Sequence, residues 1–209
     1  MSARSPRPTR VGGSWRPGAD CIGHDGAVPA PHPGAAGTAG AASSRVLVRR
    51  ARASDVRAVR ALTEPLAERG VLVAKHAVAT YESVPETRVA ELDGAVVGCG
   101  ALHVMWEDLA EVRTLAVASS ARGLGVGSAI VEALLDDARE SGVSRVFCLT
   151  FEVPFFARLG FEVIEGTPVA PEVYAELLRS HDDGVAEFLD LARVKPNTLG
   201  NTRMLLHLR

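Results

Sequence analysis

The sequence predicts an α/β fold: a mixed sheet made of an antiparallel meander and one strand–helix–strand crossover. Three observations predict it. Two apolar runs, residues 87–92 and 95–105, are joined by Asp93-Gly94, a pair suited to the left-handed positions of a tight hairpin turn. A third apolar run at 110–117 leads through a glycine-rich stretch into a segment of helical period. A further apolar run at 145–149 follows directly, and strand, crossover helix and strand make a βαβ unit with its two strands parallel.

The elements follow in order. Residues 1–44 are rich in Pro, Gly, Ala, Ser and Arg and lack a periodic apolar pattern. Such a segment buries too little surface to offset its ordering entropy, so it is expected to be a disordered extension, leaving residues 45–209 as one domain. Val46-Leu47-Val48-Arg49-Arg50 reads as the first strand. Ser54 is placed to cap a helix with Val56, Val59 and Leu62 on one face, and Pro65 is expected to break or restart it. After the hairpin, a turn near Trp106-Glu107-Asp108 leads to the third meander strand. The crossover helix shows Val126, Ile130, Val131, Leu134, Leu135 and Ala138 on one face, with Gly142 to end it. Pro154 opens a short helix, residues 161–164 form a strand, and residues 203–208 form the last one. Between 165 and 200 no element is assigned.

Composition limits the function. Of 209 residues, 47% are hydrophobic and 23% charged, the profile of a globular protein with a core. A formal net charge of −2 argues against a nucleic-acid partner or an acidic membrane surface. No apolar run approaches the roughly 18 residues of a membrane span, and no secretory signal is evident, so a cytoplasmic setting is expected. Cys99 and Cys148 sit in apolar runs and read as buried hydrophobes. The histidines lack metal-ligand spacing, so no metal is expected.

The loop after the third meander strand is the most informative feature. Arg122-x-x-Gly125-x-Gly127 lies between a strand and a helix. Convergent backbone N–H groups, with the helix's unsatisfied donors and the positive end of its dipole, suit a diphosphate. A plain tight turn is the alternative. A dinucleotide fold is excluded because G-x-G-x-x-G is absent, and a nucleotide P-loop because no Gly-Lys-Ser/Thr follows.

With Leu115-Ala116-Val117 before the loop and Phe156-x-x-x-Gly160-Phe161 after it, the segment from about Arg45 to Arg209 resembles the GNAT N-acetyltransferase superfamily. Its GNAT-like sheet would pair the strand before the loop with the pantetheine arm of acetyl-CoA. The loop would bind the pyrophosphate. The resemblance therefore implies coenzyme contacts at Leu115, Ala116, Val117, Arg122, Gly123, Leu124, Gly125, Val126, Gly127 and Ser128. VVGCGALHV, LAEVRTLAV, SRVFCLTFEVPFFARLGF and GNTRMLL are similar to the acetyltransferase domain of N-acetylglutamate synthases. Those enzymes acetylate glutamate at the entry to arginine biosynthesis, commonly with a kinase-like domain that this chain has no room for.

Amine acetylation needs a neutral nitrogen, and an α-amino group of pKa about 8 is mostly protonated at neutral pH. A base must take its proton. Glu111 interrupts an apolar strand next to the loop and matches the synthases' glutamate; a solvated glutamate paired with Arg113 is the alternative. Thr150 matches a hydroxyl position near the leaving thiolate, or is a local backbone cap. Phe156 stands where many superfamily members carry a tyrosine. An amino-acid substrate brings carboxylates that call for cations and N–H donors. Lys75 matches a basic position, Asn201 and Thr202 match Ser/Asn positions, and Arg203 and Lys195 are less specific candidates. Gly200 replaces the arginine that the synthases carry before the Asn. His103 reads as a core or rim histidine, and Asp182 and Asp183 as a solvated turn. The leading function is acetylation of L-glutamate by a small-molecule enzyme, which leaves room for a homo-oligomer. Acetylation of glutamine or another small amine, or a non-catalytic acetyl-CoA sensor, are the rivals.

Overall fold

The computed structural model describes residues 46–191 and 200–209. The extension at 1–44, with Cys21, and Lys195 lie outside the described residues. Among those described, seven strands form one sheet in the order β1-β2-β3-β4-β5-β7-β6. These are β1 (Leu47–Arg50), β2 (Thr87–Leu92), β3 (Ala95–Trp106), β4 (Leu109–Val117), β5 (Arg145–Thr150), β6 (Glu162–Val163) and β7 (Thr202–His207). The Asp93-Gly94 turn closes the β2–β3 hairpin with positive φ at both residues. β4 and β5 are parallel and all other neighbours antiparallel. The last strand inserts between β5 and β6, an order that the sequence pattern did not specify.

Helices cover both faces. On one face, α3 (Val126–Glu140) buries the apolar stripe expected of it, and α4 (Val153–Arg158) adds Phe156 to the same core. The approach of α3 to β3 is close: a Cβ at Gly98 or Gly100 would meet Ile130 at 2.8 Å. Gly142, at φ 77°, ends α3, and Val143 N–H donates back to the Ala138 carbonyl. On the opposite face, α1 (Val56–Glu68) packs on β3 and β4, with α2 (Ala77–Glu82) beside it. α5 (Pro171–Leu177) and α6 (Asp183–Phe188) cover Leu109, Phe147 and Leu205.

Two local expectations are corrected. Ser54 is exposed and caps nothing; a 3-10 turn spans Ala53–Asp55 and α1 starts at Val56. Buried Asp55 instead accepts from the Arg52 N–H at 2.7 Å and takes both outer nitrogens of Arg49. Nor does Pro65 break α1, which continues to Glu68. Leu62 and Leu66, on either side of it, both pack on Val59, Val89, Cys99 and Ala116. The donor missing at Pro65 would have served the carbonyl of exposed Ala61, which water can satisfy.

Candidate active site

The sheet opens where β4 and β5 part. Their pairing stops at Glu111 opposite Phe147, although β4 continues to Val117 and β5 to Thr150 against β7. A register irregularity opposite Cys99–Ala101 coincides with Thr114 at φ 59°, a left-handed conformation rare outside glycine. Beyond that bulge, Leu115, Ala116 and Val117 have no strand partner on the β5 side. Ala116 packs beneath α1, whereas Leu115 and Val117 lie against the α3 core.

The glycine loop begins just past β4. Gly123 and Gly125 hold φ of 79° and 77°, and a Cβ on either would meet no atom within 4 Å. Gly125 caps α3, so the N–H groups of Val126, Gly127 and Ser128 belong to the turn that lacks intrahelical acceptors. Gly127 allows Phe155 of α4 to approach: a Cβ there would sit 3.3 Å from its ring. Arg122 and Leu124 are exposed at the rim. The loop is thus a backbone concavity with open space in front of it, at the positive end of a 15-residue helix.

On the α1/α6 side of β4 lies a cleft of about 260 Å³, walled by residues 71–76, β4 from Glu111 to Thr114, the start of α6, Leu149 and Asn201. Glu111 is 3% exposed on its wall. Its Oε2 has no hydrogen-bond partner and stands 4.0 Å from Arg113 Nη1. Burial pushes the Glu111 carboxyl above the usual range, with the Arg113 charge opposing. Arg113 is committed elsewhere: Nη1 donates to Asp182 at 2.8 Å and Nη2 to Glu86 at 3.2 Å. His103 Nδ1 lies 3.0 Å from the other Glu86 oxygen, so His103 belongs to this rim network.

Lys75 reaches the same cleft, with Nζ 3.5 Å from Thr114 Oγ1. Desolvation, then repulsion from Arg113, lowers its pKa. Lys75 also borders a second cavity of about 350 Å³ between α1 and the sheet. Asn201 lines the cleft with a buried Oδ1 that has no partner. Thr150 is buried and pairs in register with Thr202, and neither lines the cleft. Thr150 Oγ1 accepts from the Glu152 N–H at 2.9 Å. Arg203 is taken up by the fold. It lies 5.3 Å from the Phe147 ring centroid and donates to the backbone carbonyls of Gly166, Glu187 and Phe188.

The structure therefore brings Lys75, Glu111 and Asn201 together on one cleft, whose lining does not include Thr150, Thr202 or Arg203. Asp182 is no solvated turn. It caps α6 by accepting from Val185 N–H at 3.0 Å and anchors Arg113. Its carboxyl is held below its usual range despite burial, chiefly by the Arg113 charge. Sequence reasoning missed Glu187, which is 6% exposed on the cleft and has an unpartnered Oε1. Burial and the nearby Glu111 charge push its carboxyl up to about 7. The signal was present: Glu187 interrupts the apolar Val185-Ala186-Glu187-Phe188-Leu189 just as Glu111 interrupts its strand.

An opened parallel pair, a glycine loop at a helix start and an acidic cleft on one strand match a known architecture. A sequence model of the Acetyltransferase (GNAT) family matches residues 57–161. The chain belongs to the GNAT family. It is 58% identical over 165 residues to a Mycobacterium tuberculosis protein named amino-acid acetyltransferase, covering 78% of this chain and 94% of that one. The crystal structure of Rv2747 from the same species, in complex with CoA and NLQ, superposes with a TM-score of 0.76 at 57% identity, covering 78% and 99% of the two chains. N-acetylglutamate synthase from Neisseria gonorrhoeae, complexed with coenzyme A and N-acetyl-glutamate, shares the fold at 24% identity and a TM-score of 0.64. That match covers 80% of this chain and 36% of the synthase. This GNAT protein is an acyltransferase that uses acetyl-CoA.

Proposed function

We propose that this GNAT enzyme transfers acetyl from acetyl-CoA to the α-amino group of L-glutamate, and that residues 45–209 carry the activity. The observation that carries the reading is Glu111: a buried carboxylate with a free oxygen, on the strand that leads to the coenzyme loop, facing a cleft that also holds Lys75. The names of the Mycobacterium tuberculosis and Neisseria gonorrhoeae proteins support an amino acid as acceptor.

In this reading the pyrophosphate sits before Gly123, Gly125 and the N–H groups that open α3. The pantetheine arm takes the place of the missing strand beside Leu115 and Val117. The thioester then lies near the bulge at Thr114, and the amino acid enters from the opposite side. Its ammonium meets Glu111, which removes a proton and leaves a nitrogen lone pair free to attack the thioester carbonyl. Lys75 pairs with a substrate carboxylate in a desolvated setting, where such a bond is strong. CoA leaves as a thiolate of pKa near 8.5, which needs little acid assistance; the Thr150 oxygen accepts from Glu152 N–H, which leaves its O–H free to donate.

Glutamine is the second reading, favoured by a specific observation. The unpartnered buried atoms of Glu111, Glu187 and Asn201 on the cleft are oxygens, and a side-chain amide supplies N–H donors that a γ-carboxylate lacks. A coenzyme sensor would need the loop alone and no buried base. Amine-acceptor profiling with acetyl-CoA, reading out free CoA, tests the proposal. Glutamate or glutamine should give the highest kcat/KM, whereas turnover of a non-amino-acid amine alone would replace it.

A further inference from the structure

We propose that Glu187 is a second catalytic residue of the acetyl transfer, taking up with Glu111 the two protons that the acceptor nitrogen must lose. This rests on the reading of the cleft as the amine site. The reaction sets the requirement. An ammonium attacking as an amine forms one C–N bond, the C–S bond breaks, and the product amide keeps a single N–H. The nitrogen therefore sheds two protons; one ends on the CoA thiolate and one leaves to solvent. A single buried carboxylate holds only one of them at a time.

The geometry supplies the second acceptor. Gly184 and Glu187 are one turn apart on the face of α6 that meets β4. A Cβ at Gly184 would stand 2.9 Å from Glu111 Oε2. Gly184 thus brings α6 close against the Glu111 carboxylate, and Glu187 follows on the same wall of the cleft. Both carboxylates are buried, and each keeps an oxygen without a partner. Leaving such acceptors dry and unpaired is costly, and an ammonium entering the cleft that both residues line would bring three N–H donors to them.

The charges around the pair agree. Glu187 is faced by Asp182 and Asp183 from its own helix and by Glu111 from β4. Arg113, the cation nearest Glu111, is already held by Asp182 and Glu86. Lys75 and His76 border the cleft from the 71–79 segment and His181 from the approach to α6. Arg203 donates to the Glu187 backbone carbonyl rather than to its carboxylate. No described cation pairs with the Glu187 side chain, whose raised pKa near 7 suits proton exchange at neutral pH.

The test compares wild type with Glu187→Gln and Glu187→Asp on the best amino-acid acceptor. Glu187→Gln should lower kcat at least tenfold with KM for acetyl-CoA unchanged, and Glu187→Asp should recover part of the loss. The acid limb of kcat/KM should fall as a two-proton function in wild type and as a one-proton function in Glu187→Gln. A merely structural residue would alter neither the order of that limb nor its rescue by Asp. Wild-type kcat and an unchanged profile in Glu187→Gln would overturn the proposal. Should wild type acetylate no amino acid, the parent reading has failed, and carbon-13 NMR titration of glutamate carboxyls still decides on the pair. A Glu187 midpoint near 7 that drops in Glu111→Gln supports it; an ordinary midpoint near 4 overturns it.

Discussion

The proposed coenzyme loop and the proposed acceptor cleft share strand β4 but are made of different materials. The loop is backbone: Gly123 and Gly125 in left-handed conformations, followed by the free donors that open α3. The cleft is side chain, assembled from the 71–79 segment, β4, α6 and Asn201 just before β7, with Glu111 in electrostatic reach of Arg113, Lys75 and Glu187. A backbone site recognises what every member of the family binds. A side-chain site can change its acceptor by exchanging single residues while the sheet stays as it is. Damage to the loop should therefore be blind to the acceptor, and damage to the cleft should depend on it.

The largest effect is expected at the loop. Gly125→Val should abolish acetyl-CoA binding in a calorimetric titration while the protein still melts cooperatively. Its side chain would enter space empty of protein atoms, where the diphosphate is proposed to lie. The left-handed backbone adds a strain of roughly 1–2 kcal/mol, which should lower Tm by several degrees. Unchanged coenzyme affinity in the folded variant would remove the loop assignment.

Lys75→Met should raise KM for the amino acid roughly ten- to a hundredfold, the equivalent of the 1.5–3 kcal/mol typical of a charged hydrogen bond. KM for acetyl-CoA should stay put. Equal damage with glutamate and glutamine would place Lys75 at the α-carboxylate, and damage confined to glutamate would place it at the γ-carboxylate. No effect on either acceptor would make the two halves of the site indistinguishable on this count. Thr150→Val should cost least, below about tenfold in kcat, since a thiol near pKa 8.5 leaves readily. A loss larger than that of Glu111→Gln would reverse the ranking.

Local signals made the loop and its surroundings legible. The Asp93-Gly94 hairpin, the six-residue stripe of α3 and the Gly142 stop each depend on residues close in sequence, and each stands where the pattern put it. The cleft depends on what α6 does, and α6 is six residues long with an apolar face set by contacts to Phe147 and Leu205. Nothing periodic announces so short a helix. Asp182 consequently read as a turn residue and Glu187 drew no attention, although Asp182 binds Arg113 of β4 and Glu187 feels the charge of Glu111 on the same strand. The surroundings of Arg203 were hidden for a related reason: a guanidinium in a terminal strand looks available until two rings and three carbonyls are folded around it.

The central claim is that Glu111 deprotonates the amino-acid acceptor, and the pH dependence of kcat in wild type and Glu111→Gln tests it most directly. Burial raises the Glu111 pKa, so the active, ionised base is lost as pH falls through that raised value. Wild-type kcat should therefore decline on the acid side at a pH above the ordinary range for a glutamate. Glu111→Gln should run about a hundredfold slower, within the usual range for general-base catalysis, with the Glu111 proton gone from that acid limb and acetyl-CoA affinity retained. A Glu111→Gln enzyme with near-wild-type kcat and the same acid limb would show that another group takes the proton, and the account of the cleft would fall.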